Sequence, residues 1–192
     1  KGFVAFKLVS DIWVVPSWLP SPPEAKRPIY IDPGMAFGTG THATTQIAAA
    51  LIYKISQKEK LPLTLIDVGT GTAILAVLAE IVGFTPVLGV EIDPEARRVA
   101  KENLSKNKTQ NILILDDLLE DVKETFDVVV ANIIDGVLVR IKNDLLKSLK
   151  PGGHLIATGI LKERDNEFFE DFTRDTNLKV MRRIEKDEWV GY

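Results

Sequence analysis

Two apolar patterns take turns along the chain. Short unbroken runs rich in Val, Ile and Leu predict strands at 63–68 (L-T-L-I-D-V), 86–91 (P-V-L-G-V-E), 112–115, 126–131 (F-D-V-V-V-A) and 154–159. Between them, apolar positions at helical spacing predict helices at about 44–58, 73–82, 94–107, 136–149 and 162–175. Further β-prone segments open the chain, at 3–9 and 12–15, and close it, near 178–184 and 187–192. Strands separated by helices predict parallel βαβ units. Strands without polar alternation predict a sheet covered by helices on both faces. Right-handed crossovers then put the strand-to-helix loops along one edge of the sheet, where ligands of such folds bind.

Proline punctuates the front of this pattern. Pro16, Pro20, Pro22 and Pro23 follow the opening strands. Each fixes φ and removes a ladder donor, so 16–28 reads as an extended connector. It divides the chain into N-terminal strands plus a Pro-rich connector, 1–28, and one α/β unit, 29–192. The first residue is Lys1 rather than Met, as expected of a fragment or a processed product. No apolar run reaches the roughly 18 residues that span a bilayer, and no basic start with an apolar core marks a signal peptide. A cytoplasmic protein without a membrane partner is expected.

Composition narrows the chemistry. With 24 Lys and Arg against 27 Asp and Glu, the net charge is −3. Domains that grip phosphate backbones are usually basic, so no direct nucleic-acid contact is expected, and a basic protein substrate fits better. The absence of Cys excludes disulfides, thiolate metal sites and cysteine nucleophiles.

The loops at the expected ligand edge carry the candidate site. The first is Asp67-Val68-Gly69-Thr70-Gly71-Thr72-Ala73. Gly69 and Gly71 let backbone approach a ligand closely, and the helix behind them offers free N–H groups. A dinucleotide fingerprint needs glycine at the sixth position, where Ile74 stands. Asp67, two residues before the first glycine, is poorly placed for a diphosphate and well placed to orient the ammonium end of a methionine moiety. An ordinary tight turn is the alternative. The second loop begins at Glu91, 22 residues after Gly69. An acid at that spacing accepts hydrogen bonds from ribose hydroxyls, whichever adenosyl cofactor is bound. A solvated strand end is the alternative for Glu91, and Asp93 before Pro94 is read as a helix cap. In the third loop, Asp116-Asp117 reads equally as an acceptor for an adenine amine or as an exposed turn. The fourth opens with Asn132, whose carboxamide offers one acceptor and two donors. It can hold a neutral amine or polar atoms of a cofactor; capping of the helix near Gly136 is the alternative.

Together these motifs resemble a known family. D-P-G-M-A-F-G-T-G-T-H-A-T-T (32–45), D-V-G-T-G-T-A-I-L-A (67–76), G-V-E-I-D-P (89–94), V-V-A-N-I (129–133), P-G-G (151–153) and T-G-I-L (158–161) are similar to the catalytic domain of the PrmA ribosomal-protein methyltransferases. The likeness runs in order over about 28–192 and extends to Ile12, Trp13 and Trp18. The glycine and aspartate motifs are shared by many methyltransferases; the F-G-T-G-T-H loop together with A-N-I is more specific. The resemblance implies an α/β fold of the Rossmann-like class I methyltransferase type, with a seven-stranded, mostly parallel sheet. It implies a domain at 29–192 that binds S-adenosylmethionine and releases S-adenosylhomocysteine, with no metal. It also implies cofactor contacts at Phe37, Thr45, Gly69, Gly71, Glu91 and Asn132, and methylation of amines on protein eleven of the large ribosomal subunit. Two departures stand out. Ala73 replaces the third glycine of the usual loop, where its methyl is expected to crowd the helix start. The family's substrate-binding domain, which precedes the connector, is represented here by no more than its last strands.

Methyl transfer from a sulfonium needs chiefly an aligned nucleophile. Asn132 is the candidate catalytic residue, orienting a neutral amine. His42 is read as a structural residue at a helix start, with proton acceptor as the alternative, His154 as structural, and loop 35–45, with Phe37, as a flap over the cofactor. Two alternatives remain: a methyltransferase for another protein or a small molecule, and a non-enzymatic remnant that binds the cofactor. A glutamine-modifying enzyme would carry N-P-P-Y where A-N-I-I stands.

Overall fold

The computed structural model describes residues 3–32 and 43–192. Its core is a seven-stranded sheet. After α1 (Ala43–Lys58) the chain alternates β4 (Leu65–Val68), α2 (Ile74–Ile81), β5 (Val87–Val90), α3 (Pro94–Lys106), β6 (Ile112–Leu115) and β7 (Phe126–Asn132). It continues through α4 (Asp135–Arg140), α5 (Lys142–Lys147), β8 (Leu149–Leu161), α6 (Asp165–Thr173), β9 (Ile184–Lys186) and β10 (Trp189–Gly191). The strand order is β6-β5-β4-β7-β8-β10-β9. The first five are mutually parallel, and β10 runs antiparallel to both β8 and β9. The expected α/β class and mostly parallel sheet are what the chain adopts.

Both faces of the sheet are covered, which explains the missing polar alternation. Leu65, Val87, Val128 and Val130 pack with Ile47, Ile52, Ile74 and Leu78 of α1 and α2. Ile66, Val68, Val129 and Ala131 pack with Leu138, Leu145, Phe168 and Phe172 of α4 to α6. Fully buried side chains such as Leu138 and Leu145 each contribute about 1.5–3 kcal/mol.

Four segments differ from the sequence expectation. The helix expected over 136–149 bends at Ile141 (φ −97°) into α4 and α5. Hydrogen bonding continues through the bend, so the apolar spacing carries no trace of it. The P-G-G segment is a bulge inside β8 rather than a turn before it: the β7–β8 register jumps from Phe126↔Leu149 to Val128↔His154. The strand expected at 178–184 is mostly coil, with Val180 and Met181 exposed. The end of the connector is a strand.

That strand, β3 (Arg27–Tyr30), pairs in parallel with β2 (Ile12–Val15), which pairs with β1 (Phe6–Val9). Position 28 thus lies within β3. The small sheet shares the core beneath α1 through Ile12, Val14 and Ile29. Arg27 N–H and Ile31 N–H bond inward to Asp11 and Val15 carbonyls. Pro28 therefore faces the outer edge, the one side where a strand tolerates a residue without N–H. Tyr30, also facing out, is held at both backbone groups by Asn107: its N–H reaches Asn107 Oδ1 at 2.7 Å, and Asn107 Nδ2 donates to its carbonyl at 2.9 Å.

Candidate active site

The carboxyl ends of β4, β5, β6 and β7 form one edge, and most of the singled-out residues in the described segments stand along it. Asp67, on β4, is 2% exposed. One carboxyl oxygen accepts the Thr70 hydroxyl at 2.7 Å. Burial pushes the Asp67 carboxyl up to about 7; the Thr70 hydrogen bond opposes this and the nearby charge of Glu91 adds to it. No cation pairs with Asp67 among the described residues.

The glycine loop folds around the end of β5. Gly69 and Gly71 take φ of +70° and +57°. The N–H groups of Gly69 and Thr70 share the Val90 carbonyl at 2.9 and 3.1 Å. The Gly71 N–H donates to Glu91 Oε1 at 3.0 Å. Glu91 is thus no loose strand end. Its other oxygen accepts the Asp93 N–H at 3.2 Å, and Arg97 donates to the Glu91 and Ile92 carbonyls at 2.8 Å. Each carboxylate oxygen keeps a lone pair for a further donor. Asp93 caps α3, accepting the Glu95 N–H at 2.9 Å, as expected.

The Ala73 side chain is fully buried in the apolar core, and its backbone is left-handed at φ +66°. For a residue with Cβ that conformation costs about 1–2 kcal/mol, which explains the glycine usual at this point. Asn103, 2% exposed, secures the same turn by donating to the Thr72 carbonyl at 2.9 Å.

Asn132 ends β7. Its Nδ2 donates to Thr45 Oγ1 of α1 at 3.3 Å, and its Oδ1 accepts the Thr158 hydroxyl of β8 at 2.8 Å. It caps no helix, because the N-cap of α4 is Ile134 and has no side-chain bond. Thr45 and Thr158 are fully buried. Behind Asn132, the Ile133 carbonyl presses on Gly159, φ +94°, where a Cβ would lie 2.3 Å from that oxygen. The A-N-I and T-G-I-L motifs are therefore two sides of one contact.

Asp116 and Asp117 are exposed at the end of β6. His154 contacts Glu59 Oε1 at 3.0 Å, away from this edge, in keeping with a structural role. Phe37, His42 and most of loop 35–45 lie outside the described residues. Sequence reasoning gave no role to Thr158, Asn103 or Arg97. Only Thr158 carried a signal, as the first residue of the T-G-I-L motif.

These groups suit an adenosyl-sulfonium cofactor. Asp67 is a buried carboxyl without a cation among the described residues, the chemistry an ammonium group would complete. Glu91 offers acceptors to ribose hydroxyls. Ile92 and Leu118, exposed large apolar residues just beyond β5 and β6, offer apolar surface to a purine.

The fold is that of the class I S-adenosylmethionine-dependent methyltransferases. A precorrin-6y C5,15-methyltransferase from Geobacter metallireducens shares it at a TM-score of 0.63 and 18% identity, over 79% of this chain and 88% of that one. The family is more specific: the model for ribosomal protein L11 methyltransferase (PrmA) matches residues 1–192, and the chain belongs to that family. A ribosomal protein L11 methyltransferase of Listeria innocua is 37% identical over 195 residues, which is 100% of this chain and 61% of that protein. A ribosomal protein L11 methylase structure from Lactobacillus delbrueckii subsp. bulgaricus superposes at a TM-score of 0.88 and 31% identity, covering 98% of this chain and 96% of that one. The chain spans about three fifths of the length of the curated relatives it matches.

Proposed function

We propose that the chain transfers methyl groups from S-adenosylmethionine to amines of ribosomal protein L11, at lysine side chains, the N-terminal amine or both. The observation that carries this reading is the gathering of Asp67, Glu91 and a hydroxyl-flanked Asn132 along one sheet edge. The family and the names of its members supply the substrate.

When bound, the sulfonium supplies an electrophilic methyl carbon whose leaving group is already activated, so the reaction calls for no metal. Asp67 receives the ammonium end of the methionine moiety, Gly69 and Gly71 give close backbone approach, and Glu91 holds the ribose. Phe37, Thr45 and Asn132 also contact the cofactor. A free lysine has a pKa near about 10.4, so it must lose a proton before its nitrogen attacks. A dry pocket favours the neutral amine. Asn132 keeps one N–H and one Oδ1 lone pair beyond those used by Thr45 and Thr158, and that lone pair accepts an N–H of the amine. The nitrogen lone pair forms the new N–C bond, the C–S pair stays on sulfur, and the product ammonium releases a proton. Residues 29–192 form the transferring unit, preceded by the strands and Pro-rich connector of 1–28. The partner is a protein rather than nucleic acid or membrane, and the setting is the cytoplasm. No helix among the described residues is long and apolar enough to cross a membrane.

Calorimetry with S-adenosylmethionine, S-adenosylhomocysteine and NAD tests the cofactor. Both sulfur compounds should bind, and Glu91→Ala should weaken them by about 1.5–3 kcal/mol, the range for hydrogen bonds to charged groups. Tighter binding of NAD would overturn the assignment. Labelled methyl groups should appear on purified L11, and their absence would overturn the substrate.

A further inference from the structure

We infer that Thr158 is a positioning residue for methyl transfer, fixing the Asn132 carboxamide so that its free acceptor meets the incoming amine. This rests on the methyltransferase reading above and adds a residue to it.

The argument begins with register. β7 and β8 run parallel, with Asn132 opposite Thr158. Neighbours across a parallel pair place their side chains on the same face, which brings the Thr158 hydroxyl to 2.8 Å from Asn132 Oδ1. The threonine is wholly buried, and the Asn132 carboxamide is the partner its hydroxyl finds among the described residues. A carboxamide turned by half a rotation exchanges oxygen for nitrogen with almost no change of shape, so its hydrogen bonds, rather than its shape, hold it in place. Thr158 and Thr45 flank the two ends, and the Thr158 contact is the shorter, 2.8 Å against 3.3 Å. The next residue makes the arrangement hard to relax. Gly159 lies so close to the Ile133 carbonyl that any side chain there would collide with it, so β8 and the A-N-I turn meet in direct contact beside Asn132. On the far side, the Thr158 methyl borders Gly191 of β10, where a Cβ would lie 2.7 Å from it. With its methyl toward Gly191, Thr158 presents its hydroxyl to Asn132. Thr158 itself stands behind Asn132 and acts through it.

The test uses the whole chain with Thr158→Val, which keeps the shape and removes the hydroxyl, and Thr158→Ser, which keeps the hydroxyl. Three readouts are compared: S-adenosylhomocysteine affinity, kcat and KM with purified L11, and the NMR signals of the Asn132 side-chain amide with S-adenosylhomocysteine bound. T158V should move the Asn132 signals and lower kcat about five- to tenfold, the equivalent of one lost hydrogen bond. Cofactor affinity and the KM for L11 should stay within about twofold, because a contact that matters only in the transition state lowers kcat. T158S should recover both the signals and kcat. Unchanged Asn132 signals or unchanged kcat in T158V would overturn the inference. So would a T158S that loses as much as T158V, since the hydroxyl would then not be the active element. A parent chain that transfers no methyl group to L11 would instead count against the substrate reading, and the Asn132 signals alone would then decide the placement.

Discussion

The first and fourth loops of the sheet edge hold their polar groups on opposite terms. In the first, a carboxyl is buried against the Thr70 hydroxyl, and the turn closes through an alanine in a left-handed conformation. In the fourth, a neutral carboxamide lies between two hydroxyls, and the strained position is occupied by glycine. The first loop is costly to form and incomplete without a cation. In the fourth, both ends of the carboxamide already have a partner. Cost gathers where a charged cofactor would dock, and order is already present where an uncharged amine would need alignment. Sites that bind tightly often trade resting stability in this way.

The sharpest way to break the contrast is to strain the loop that lacks strain. Gly159→Ala puts a methyl 2.3 Å from the Ile133 carbonyl at φ +94°. It should destabilise the fold by about 3–5 kcal/mol, among the large single-residue effects. A urea midpoint equal to the parent's would show that β7 and β8 meet less tightly than described.

Relieving the first loop should act in the other direction. The Asp67 carboxyl sits at about 7 in the fold and near about 3.9 when unfolded. Between those values the native state holds a proton that the unfolded state has lost, so this group's contribution to stability falls as pH rises from 4 to 7. Asp67→Asn removes that slope. The variant should be more stable than the parent by about 2–4 kcal/mol at pH 8 and nearly equal to it at pH 4, read by thermal denaturation. Cofactor affinity should show the reverse. In the parent it should rise with pH through about 7 as the carboxylate forms, and in the variant it should stay low. A variant that binds as well as the parent at pH 8 would remove Asp67 from the site.

The smallest effect expected is at Ala73. Glycine relieves about 1–2 kcal/mol of left-handed strain and costs about 0.4–1 kcal/mol through a freer unfolded chain. Ala73→Gly should therefore gain roughly 0.5–1 kcal/mol in chemical denaturation. A loss would mean that the buried methyl contributes more to the core than the backbone costs.

The sheet and its ligand edge were legible because both come from short-range rules. Unbroken apolar runs mark buried parallel strands, and such strands end at one edge, so Asp67, Glu91 and Asn132 could be placed at that edge by position alone. What escaped depends on contacts between distant segments. Thr158 matters through its register with Asn132, which no local spacing encodes. β3 was hidden by Pro28, which reads as a strand breaker until the strand is known to lie at an edge. The 178–184 segment has strand-like composition, yet Val180 and Met181 are left exposed, so local preference found no tertiary support. Asn103 and Arg97 sit in an ordinary polar helix, where nothing separates a side chain that braces a loop from one that faces water.

The grip of Asn107 on Tyr30 has a consequence for how molecules of this protein meet one another. The outer rim of β3 would ordinarily present a row of open backbone groups, a template for a strand from another molecule. Here Pro28 has no N–H to offer, and at Tyr30 both backbone groups are taken by one side chain that stands in for a neighbouring strand. A proline and a single carboxamide thus blunt the rim as a template for strand addition at these two residues, the carboxamide coming from the end of α3.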